Sequence, residues 1–406
     1  MSEGAESRRA LHALLGTLAE IDRRPLAADR GPEDPAEVAS GVRFLLHLLG
    51  GGLDLALEAD PRRPAFRPTM SAGRRFYGDN PDAIYQSTTI DPTLAWRIRG
   101  RTQGAVYTSF TVEGGGSLDT RYPPGRVVSS LNDTKLGVAA DGRYALVASV
   151  APWSGPEAWL PLAPDACSIV TRHYFEGDEP VDRRLAIPIE IEPIDGPADP
   201  STGASKGPSS GTSIGSPNDS WTGSASREMF GRAFARDDAA LARGIRRVEN
   251  FVRGLSLDYG RNGPAIDFAS SEPNRFGPPS GWSGEVGQGP VDQSNLWAPF
   301  ALEDGEALVI EGRFPRCRFA NLVVWNRNLQ SLGRPGTRAS LNRRQTRLEA
   351  DGSFRIVVAH TDPGVPNWLD TGGEPRGVVF VRYLLPEERP EGLEARVVRA
   401  ARIDRR

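Results

Sequence analysis

Residues 82–112 read DAIYQSTTIDPTLAWRIRGRTQGAVYTSFTV, and residues 294–324 read SNLWAPFALEDGEALVIEGRFPRCRFANLVV. The second stretch begins 212 positions after the first, and the two agree in character at most apolar positions. At this offset Tyr85 is matched with Trp297 and Ile98 with Ile310. Identical residues stand at Ala95 and Ala307, Gly100 and Gly312, Arg101 and Arg313, and Val112 and Val324. The match predicts an internal duplication.

The likeness continues beyond these stretches with small changes of offset. DGRYALV at 141–147 corresponds to DGSFRIV at 351–357, and Arg172 corresponds to Arg382, both at an offset of 210. Hairpin loops tolerate shifts of one or two residues, whereas a one-residue slip inside a strand would turn its side chains to the other face. We therefore expect two related units built from strands.

The apolar pattern within the repeated stretch has a period of two. Trp96 and Ile98, and then Val106, Thr108 and Phe110, alternate with polar or small residues, as in half-buried strands. Turn-forming Gly, Pro and Asp-Gly sequences divide the region into short strands. The pattern predicts a mainly β protein with helical additions, in which two related antiparallel domains are β-sandwich or jelly-roll-like rather than βαβ.

Helical periodicity precedes the strands. Leucines between Leu11 and Leu18 recur at three- and four-residue steps, which predicts an amphipathic helix that ends before Pro25. A second helix with the same pattern is expected to end at the glycines 50–52. A third is expected after the linker, packed on the second β domain or in the seam between the two. The N-terminal pair should form a helical cap.

A composition shift marks the predicted domain boundaries. Residues 195–220 contain Gly, Pro, Ser, Thr and Asp and almost nothing apolar, which is typical of a flexible linker. The predicted organisation is an N-terminal cap at 1–70, a first β domain at 71–194, the linker at 195–220, a connecting helix at 221–260, and a second β domain at 261–406 that begins with a long Gly/Pro-rich loop.

The overall charge excludes several kinds of partner. The formal net charge is −3 with both signs mixed, so nothing indicates a nucleic-acid surface or a polybasic membrane anchor. The apolar run 44–49 is shorter than a membrane span, and the N-terminus lacks the order of a signal peptide. Nearly all basic residues are Arg, which is typical of a GC-rich bacterial genome. We expect a cytoplasmic bacterial protein without a membrane partner, and a homo-oligomer remains open.

Several long phrases resemble the family of bacterial proteins that carry the domain of unknown function 1214, which is often found beside domain 1254. They are GDNPDAIY (78–85), GAVYTSFTVEGG (104–115), DGEALVIEGRFPRCRFANLVVWN (304–326), SLNRRQTRLEADGSFRIVVAHTDPGVPNWLDTGG (340–373) and VVFVRYLLPE (378–387). The resemblance implies a β-rich architecture with helical additions and an unassigned activity. It supplies no catalytic residues.

One histidine stands in a sequence that suits acid/base chemistry. His360 begins HTDPG, in which Asp362 could orient the imidazole, and Arg382 could stabilise a developing anion. We take these three as catalytic candidates. The alternative is that Asp362 caps the turn before Pro363 and Gly364 while His360 ends a strand.

Aromatic and polar residues near strand ends suggest a ligand cavity. Sandwiches and barrels that enclose ligands line the cavity with aromatic side chains and a few polar anchors. The candidates for ligand binding are Tyr85, Trp297, Asn326, Trp368, Arg172 and His173. The alternative is that the aromatic side chains fill two ordinary cores.

The sequence offers little support for a metal or a cofactor. Two cysteines are too few for a thiolate site, and no histidine pair has ligand spacing. Asp79, Asn80 and Asp82 could supply oxygen ligands to calcium, but a rigid turn before a strand also explains them. We expect no metal and no cofactor.

These observations lead to two functional expectations. The first is cofactor-independent acid/base chemistry on an apolar or aromatic small molecule of lipid, isoprenoid or polyketide type, bound between the duplicated domains; a lyase, isomerase or hydrolase would fit. The second is a protein that binds a lipid or carbohydrate, or assembles with itself, without chemistry.

Overall fold

The structure is a computed structural model. It describes residues 5–23, 35–71, 73–76, 78–194, 237–258, 272–280, 292–333 and 336–404. The predicted linker at 195–220 and most of the Gly/Pro-rich loop at 261–290 lie outside these residues.

The described residues contain three α-helices: α1 (Glu6–Arg23), α2 (Pro35–Leu55) and α3 (Asp238–Gly254). α1 ends before Pro25, as predicted, but α2 continues through the glycines where an end was expected. A Cβ atom on Gly51 would lie 3.0 Å from the Phe76 ring, and one on Gly52 would lie 3.1 Å from Val248. The predicted helix end was wrong because these glycines allow close packing instead of stopping the helix.

α3 completes the helical cap. Asp237 caps it by accepting a hydrogen bond from the backbone N–H of Ala239 at 3.0 Å. The three helices share an apolar cluster with Leu118 of the first half. A Cβ atom on Gly254 would lie only 1.8 Å from the carbonyl oxygen of Tyr122. α3 therefore packs on the cap helices and the first half, not on the second domain or in the seam, where it was expected.

Residues 67–193 form the first half of the β structure. Its strands are β1 (Arg67–Pro68), β2 (Ala83–Thr89), β3 (Trp96–Arg101), β4 (Tyr107–Gly114), β5 (Arg126–Asn132), β6 (Arg143–Ser149), β7 (Ala158–Pro161), β8 (Ala166–Tyr174) and β9 (Ile189–Pro193). They form two sheets, with the orders β1-β2-β8-β4-β5 and β7-β6-β3-β9.

Residues 293–402 form the second half. Its strands are β10 (Gln293–Ala301), β11 (Glu306–Gly312), β12 (Phe319–Asn326), β13 (Ser340–Asn342), β14 (Phe354–Ala359), β15 (Trp368–Asp370), β16 (Arg376–Leu384) and β17 (Glu394–Arg399), followed by a 3-10 turn at Ala400–Arg402. Its sheets have the orders β10-β16-β12-β13 and β15-β14-β11-β17.

Each half is a sandwich of two sheets, and apart from β1 the order of strands is the same in both. Ile98 lies in β3 between β6 and β9, and Ile310 lies in β11 between β14 and β17. Among the described strands, all ladders are antiparallel except β6 with β7 and β14 with β15. The mainly β fold with two sandwich-like halves and N-terminal helices is as predicted.

The register of the strands corrects one detail of the sequence match. Arg172 pairs with Tyr85, whereas Arg382 pairs with Asn295, and Trp297 pairs with Phe380. Asn295 therefore corresponds to Tyr85 by register, and the match of Tyr85 with Trp297 was wrong by two residues. The second half has two more residues between the matched parts of β10 and β11 than the first has between β2 and β3, and β10 is paired for two residues more than β2.

A buried polar seam joins the two halves. The Asp82 carboxylate accepts hydrogen bonds from Asn321 Nδ2 at 2.8 Å and from Asn342 Nδ2 at 3.0 Å. Asn80 and Asn321 exchange amide hydrogen bonds, and Asp79 accepts from the backbone N–H of Ser331 at 2.7 Å. These side chains are fully buried or nearly so. The GDNPD sequence therefore fixes one half against the other.

Helix α2 is long and apolar enough to be compared with membrane-spanning helices. By length and composition, Glu37–Leu55 could cross a membrane, and 28% of its most apolar window is buried in the structure. Helices that pack on a soluble core satisfy the same criterion, so this is weak evidence. The absence of a membrane partner remains a prediction.

Candidate functional site

A cavity of about 360 Å³ lies on the outer face of the sheet β1-β2-β8-β4-β5, opposite the sandwich core. The helical cap and the segments beside it form an apolar roof, whose residues are Leu55, Phe76, Leu118, Tyr122, Phe251 and Leu255. The strands form a polar floor. Ligand pockets of this size are usually apolar with a few convergent polar groups, as here.

The alternation along β8 explains the floor. Ser168, Val170 and Arg172 line the cavity, while Ile169 between them is fully buried in the sandwich core. The same alternation in β4 turns Thr111 toward the cavity. A period of two thus gives one sheet an apolar inner face and a polar outer face.

Two arginines approach the end of the cavity nearest the second half. Arg172 donates a hydrogen bond from Nη1 to Thr111 Oγ1 at 2.7 Å. Arg382 enters from β16 and is 7% exposed. Its Nε and Nη1 atoms are buried and have no hydrogen-bond partner among the described residues. Its guanidinium carbon lies 5.7 Å from the centre of the Tyr174 ring and 5.0 Å from that of Phe380.

A carboxyl group lies farther along the floor. Glu113 Oε2 accepts a hydrogen bond from Ser168 Oγ at 2.8 Å. Burial raises the pKa of Glu113, although the Ser168 hydrogen bond and the charge of Arg172 oppose the rise. Beside it, burial raises the pKa of the Cys167 thiol to about 12. Burial therefore favours the neutral forms of Glu113 and Cys167, although the charged Arg126 also lines this part of the cavity.

Two tyrosines lie at the arginine end, where Tyr85 pairs with Arg172 and Tyr174 lies two residues beyond Arg172 on β8. The hydroxyl oxygens of Tyr85 and Tyr174 are 3.1 Å apart, and their rings meet edge to face. Burial, and then the neighbouring Tyr174, raise the pKa of Tyr85 well above its usual value. The Tyr85 hydroxyl is therefore protonated at neutral pH.

The corresponding face of the second half is filled. Register matches Glu113 with Trp325 and Val170 with Phe380. The Trp325 and Phe380 rings stack with centroids 4.6 Å apart, and Trp297 packs against the same cluster. The two halves share a sheet order, but this cavity lies on the first.

The structure brings together three of the nine predicted site residues: Tyr85, Arg172 and Arg382 line the cavity. Trp297 packs beside Trp325, and Trp368 donates from Nε1 to the Ala359 carbonyl at 3.1 Å. Asn326 is buried and donates to Ser40 Oγ at 2.9 Å. None of these three is among the described residues that line the cavity.

The three predicted catalytic residues do not lie together at the cavity. His360 follows β14, where Nδ1 lies 2.6 Å from Thr371 Oγ1 and Nε2 lies 3.2 Å from the Leu302 carbonyl oxygen. Asp362 is exposed and accepts from the backbone N–H of Gly364 at 2.7 Å, as expected of a turn cap. Of the three candidates, only Arg382 lines the cavity.

His173 points to the opposite face from its neighbour Arg172. It is fully buried, and neither ring nitrogen has a hydrogen-bond partner among the described residues. Burial lowers its pKa to about 3. His173 therefore belongs to the interior of the first sandwich and does not line the cavity.

We expect the His173→Leu variant to change the acid stability of the protein. A lowered folded pKa gives stability that is present above the unfolded value of 6.5 and is lost as pH falls toward the folded value of about 3. Between pH 7 and 4.5, the wild type should lose roughly 2–3 kcal/mol more unfolding free energy than His173→Leu in urea titrations. The exposed His12→Leu serves as the control, and parallel losses in all three proteins would contradict the argument.

Sequence reasoning missed several cavity residues. Glu113, Ser168 and Tyr174 stand in strands that the period of two did predict. Of these residues, Glu113 could have been recognised from the sequence as a candidate, because a carboxylate in the apolar strand TSFTVEG is unusual. The roof residue Phe251 gave no such signal, since its position depends on how the cap packs.

No group of three or more metal-ligating side chains occurs within the part of the chain that the structure describes. The carboxylates of Asp79 and Asp82 are occupied by the hydrogen bonds of the seam. The turn interpretation of this sequence thus agrees with the contacts, which also join the halves.

Comparison with known proteins gives relatives without an assigned activity. An uncharacterized protein from Burkholderia cenocepacia has a TM-score of 0.74 and 26% identity, with 98% of each chain covered. The VPA0106 protein from Vibrio parahaemolyticus has a TM-score of 0.45 and 11% identity, over 88% of this chain and 99% of its own. No curated protein matches the sequence. Residues 307–388 match the family described as "Protein of unknown function (DUF1214)", so the C-terminal region of this chain contains a DUF1214 domain.

Proposed function

We propose that this protein binds a small apolar or aromatic molecule, of lipid, isoprenoid or polyketide type, in the cavity beneath the helical cap. The observation that carries the proposal is the cavity of about 360 Å³, with an apolar roof and a floor that holds Tyr85, Arg172 and Arg382. This volume falls in the range of about 300–1,000 Å³ that is typical of small-molecule sites.

If the ligand is transformed, Glu113 is the group that exchanges a proton with it. A carboxyl group whose pKa is raised by burial can serve as a general acid near neutral pH, and Glu113 lines the cavity. His360 is then a structural residue of the second half. This chemistry needs no cofactor, in keeping with the sequence-based expectation.

Binding without chemistry is the second candidate. It is favoured by the raised pKa values of Tyr85 and Cys167, which leave both groups protonated and so remove two bases from the cavity at neutral pH. The ligand would then leave unchanged.

The shared order of strands supports an origin by duplication, after which the two copies diverged. On this proposal the first copy kept an open outer face, while Trp325 and Phe380 filled the equivalent face of the second. The second copy contributes Arg382 and Gln293 to the cavity of the first.

Substitution of Val170 by Trp tests the proposed cavity. The added indole occupies the floor, so retention of a ligand from an extract of bacterial cells should fall at least tenfold, as measured by mass spectrometry of the repurified protein. A tenfold loss corresponds to about 1.4 kcal/mol. Val150→Trp, at an exposed position beyond β6, is the matched control and should retain the compound.

The same measurement separates the two candidates. A retained compound of altered mass that Glu113→Gln binds but leaves unaltered supports acid/base chemistry. A retained and unaltered compound supports binding alone. Equal retention by the Val170→Trp and Val150→Trp variants would refute the cavity as the site.

A further inference from the structure

We infer that the ligand of this cavity is a carboxylate, and that its head group pairs with Arg382 and Arg172 while its apolar body lies under the helical cap. The inference rests on the proposed function and adds the chemical class of the ligand.

The first support is the state of Arg382. A guanidinium has five N–H donors and is charged at all physiological pH values. That of Arg382 is 7% exposed, and it makes no hydrogen bond or ion pair to any residue that the structure describes. A buried charge without a partner is strongly unfavourable, and most proteins pair such a group. An anionic ligand would supply the missing partner.

The second support is the charge around it. Arg172 lines the same cavity, and its described hydrogen bond goes to a neutral hydroxyl, that of Thr111. Neither arginine has a carboxylate within ion-pair distance among the described residues. Glu113 is the acidic residue on the adjacent floor, and its hydrogen bond comes from Ser168. The end of the cavity near the second half is therefore positive, although Arg172 also acts electrostatically on Glu113 without an ion-pair contact.

The third support concerns the shape of the head group. The Arg382 guanidinium carbon lies 5.7 Å from the centre of the Tyr174 ring and 5.0 Å from that of Phe380, so aromatic rings adjoin the guanidinium on two sides. A guanidinium holds its N–H donors in one plane, and a planar carboxylate can meet two of them with parallel hydrogen bonds. A planar acceptor fits this edge.

The polarity of the floor limits the rest of the ligand. Ser168 and Arg172 are four residues apart on β8, which is about 13 Å at roughly 3.3 Å per residue. Glu113 bonds to Ser168, so the carboxyl group lies at the far end from the arginines. A second anionic group there would meet Glu113. We therefore expect the carboxylate group of the ligand at the arginine end and an uncharged part of the ligand beside Glu113.

Paired probes of equal shape test the inference. Naphthalene-2-carboxylate and naphthalene-2-carboxamide differ in charge but hardly in size. Calorimetric titration of the wild type should give a carboxylate Kd at least tenfold lower than that of the carboxamide, because hydrogen bonds to charged groups contribute roughly 1.5–3 kcal/mol.

Substitution of Arg382 by Met keeps much of the side-chain volume and removes the charge. This variant should weaken carboxylate binding at least tenfold, leave carboxamide binding within about threefold, and unfold at the same or a higher temperature without ligand. Arg101→Met, at an exposed position on β3, is the matched control and should bind both probes as the wild type does.

The outcomes distinguish the two proposals. Equal affinity for the two probes, or an unchanged preference in Arg382→Met, would overturn the carboxylate inference while the cavity function stands. Failure of the wild type to bind either probe, or binding of both that Val170→Trp does not weaken, would overturn the cavity function itself.

Discussion

Replacement of Asp82 by Ala should lower the free energy of unfolding by about 3–5 kcal/mol, because it removes the acceptor of two buried hydrogen bonds that hold the two halves together. Asp82 is fully buried, and both of its oxygens accept hydrogen bonds from asparagine amides of the second half. Burial raises the pKa of Asp82, although the hydrogen bonds from Asn321 and Asn342 oppose the rise. The variant leaves two buried amide N–H groups unpaired, and each unpaired group costs roughly 1–3 kcal/mol. Urea unfolding at pH 7 gives the measurement.

The matched control is Asp182→Ala, which removes an exposed aspartate whose ion pair is with the exposed Arg184. Surface ion pairs contribute little, so this variant should unfold close to the wild type. Asp82→Asn is a second variant that retains the shape. If Asp82→Ala unfolds like Asp182→Ala, the seam does not stabilise the assembly of the halves.

Replacement of Trp325 by Ala should also cost about 3–5 kcal/mol, which is typical of a buried aromatic residue truncated in a core. Trp325 is 3% exposed, stacks on Phe380, and donates from Nε1 to the Asp79 carbonyl at 2.8 Å. The variant creates a void on the second half where the first half has its cavity. Indole should fill this void and partly restore the melting temperature, by RT ln(1 + [L]/Kd), or about 1.4 kcal/mol at ten times Kd.

The half-buried Trp153 provides the control for this experiment. Its replacement by Ala should cost less and should not increase the stabilisation by indole above that of the wild type. Equal stabilisation of Trp325→Ala and the wild type by indole would mean that the space left by the tryptophan has collapsed. Trp325 would then not occupy a space equivalent to the cavity of the first half.

The strands were predictable because their signal is local. Alternation over a few residues, such as Trp96 and Ile98, follows from the opposite orientation of successive side chains. Glycine was less informative. The three glycines at 50–52 are typical of a helix C-terminus, yet Gly51 and Gly52 lie where α2 packs closely on Phe76 and Val248. Local sequence does not distinguish a glycine that ends a helix from one that permits contact.

The candidate site was predictable only in part. Arg172 was chosen for ligand binding and Arg382 for stabilising an anion, and both line one cavity although they lie on different halves. His360 and Asp362 were chosen from their spacing, and the turn geometry of Asp362 accounts for its position. His173 adjoins Arg172 in sequence but lies on the other face of β8, so the direction of one side chain could not be assigned without the strand's partners.

The amino-acid sequence by itself determined the β-rich class, the two similar runs of strands and the DUF1214 resemblance, because each depends on residues close together in the chain or on direct comparison of letters. Only the tertiary structure decided which outer face is open. That depends on the summed volume of side chains from distant segments: Phe251 of the cap and Arg382 of the second half enclose space above one sheet, while Trp325 and Phe380 fill it above the other. Close packing depends on the volumes of side chains that are distant in sequence but adjacent in the fold, so it cannot be predicted from a local sequence pattern.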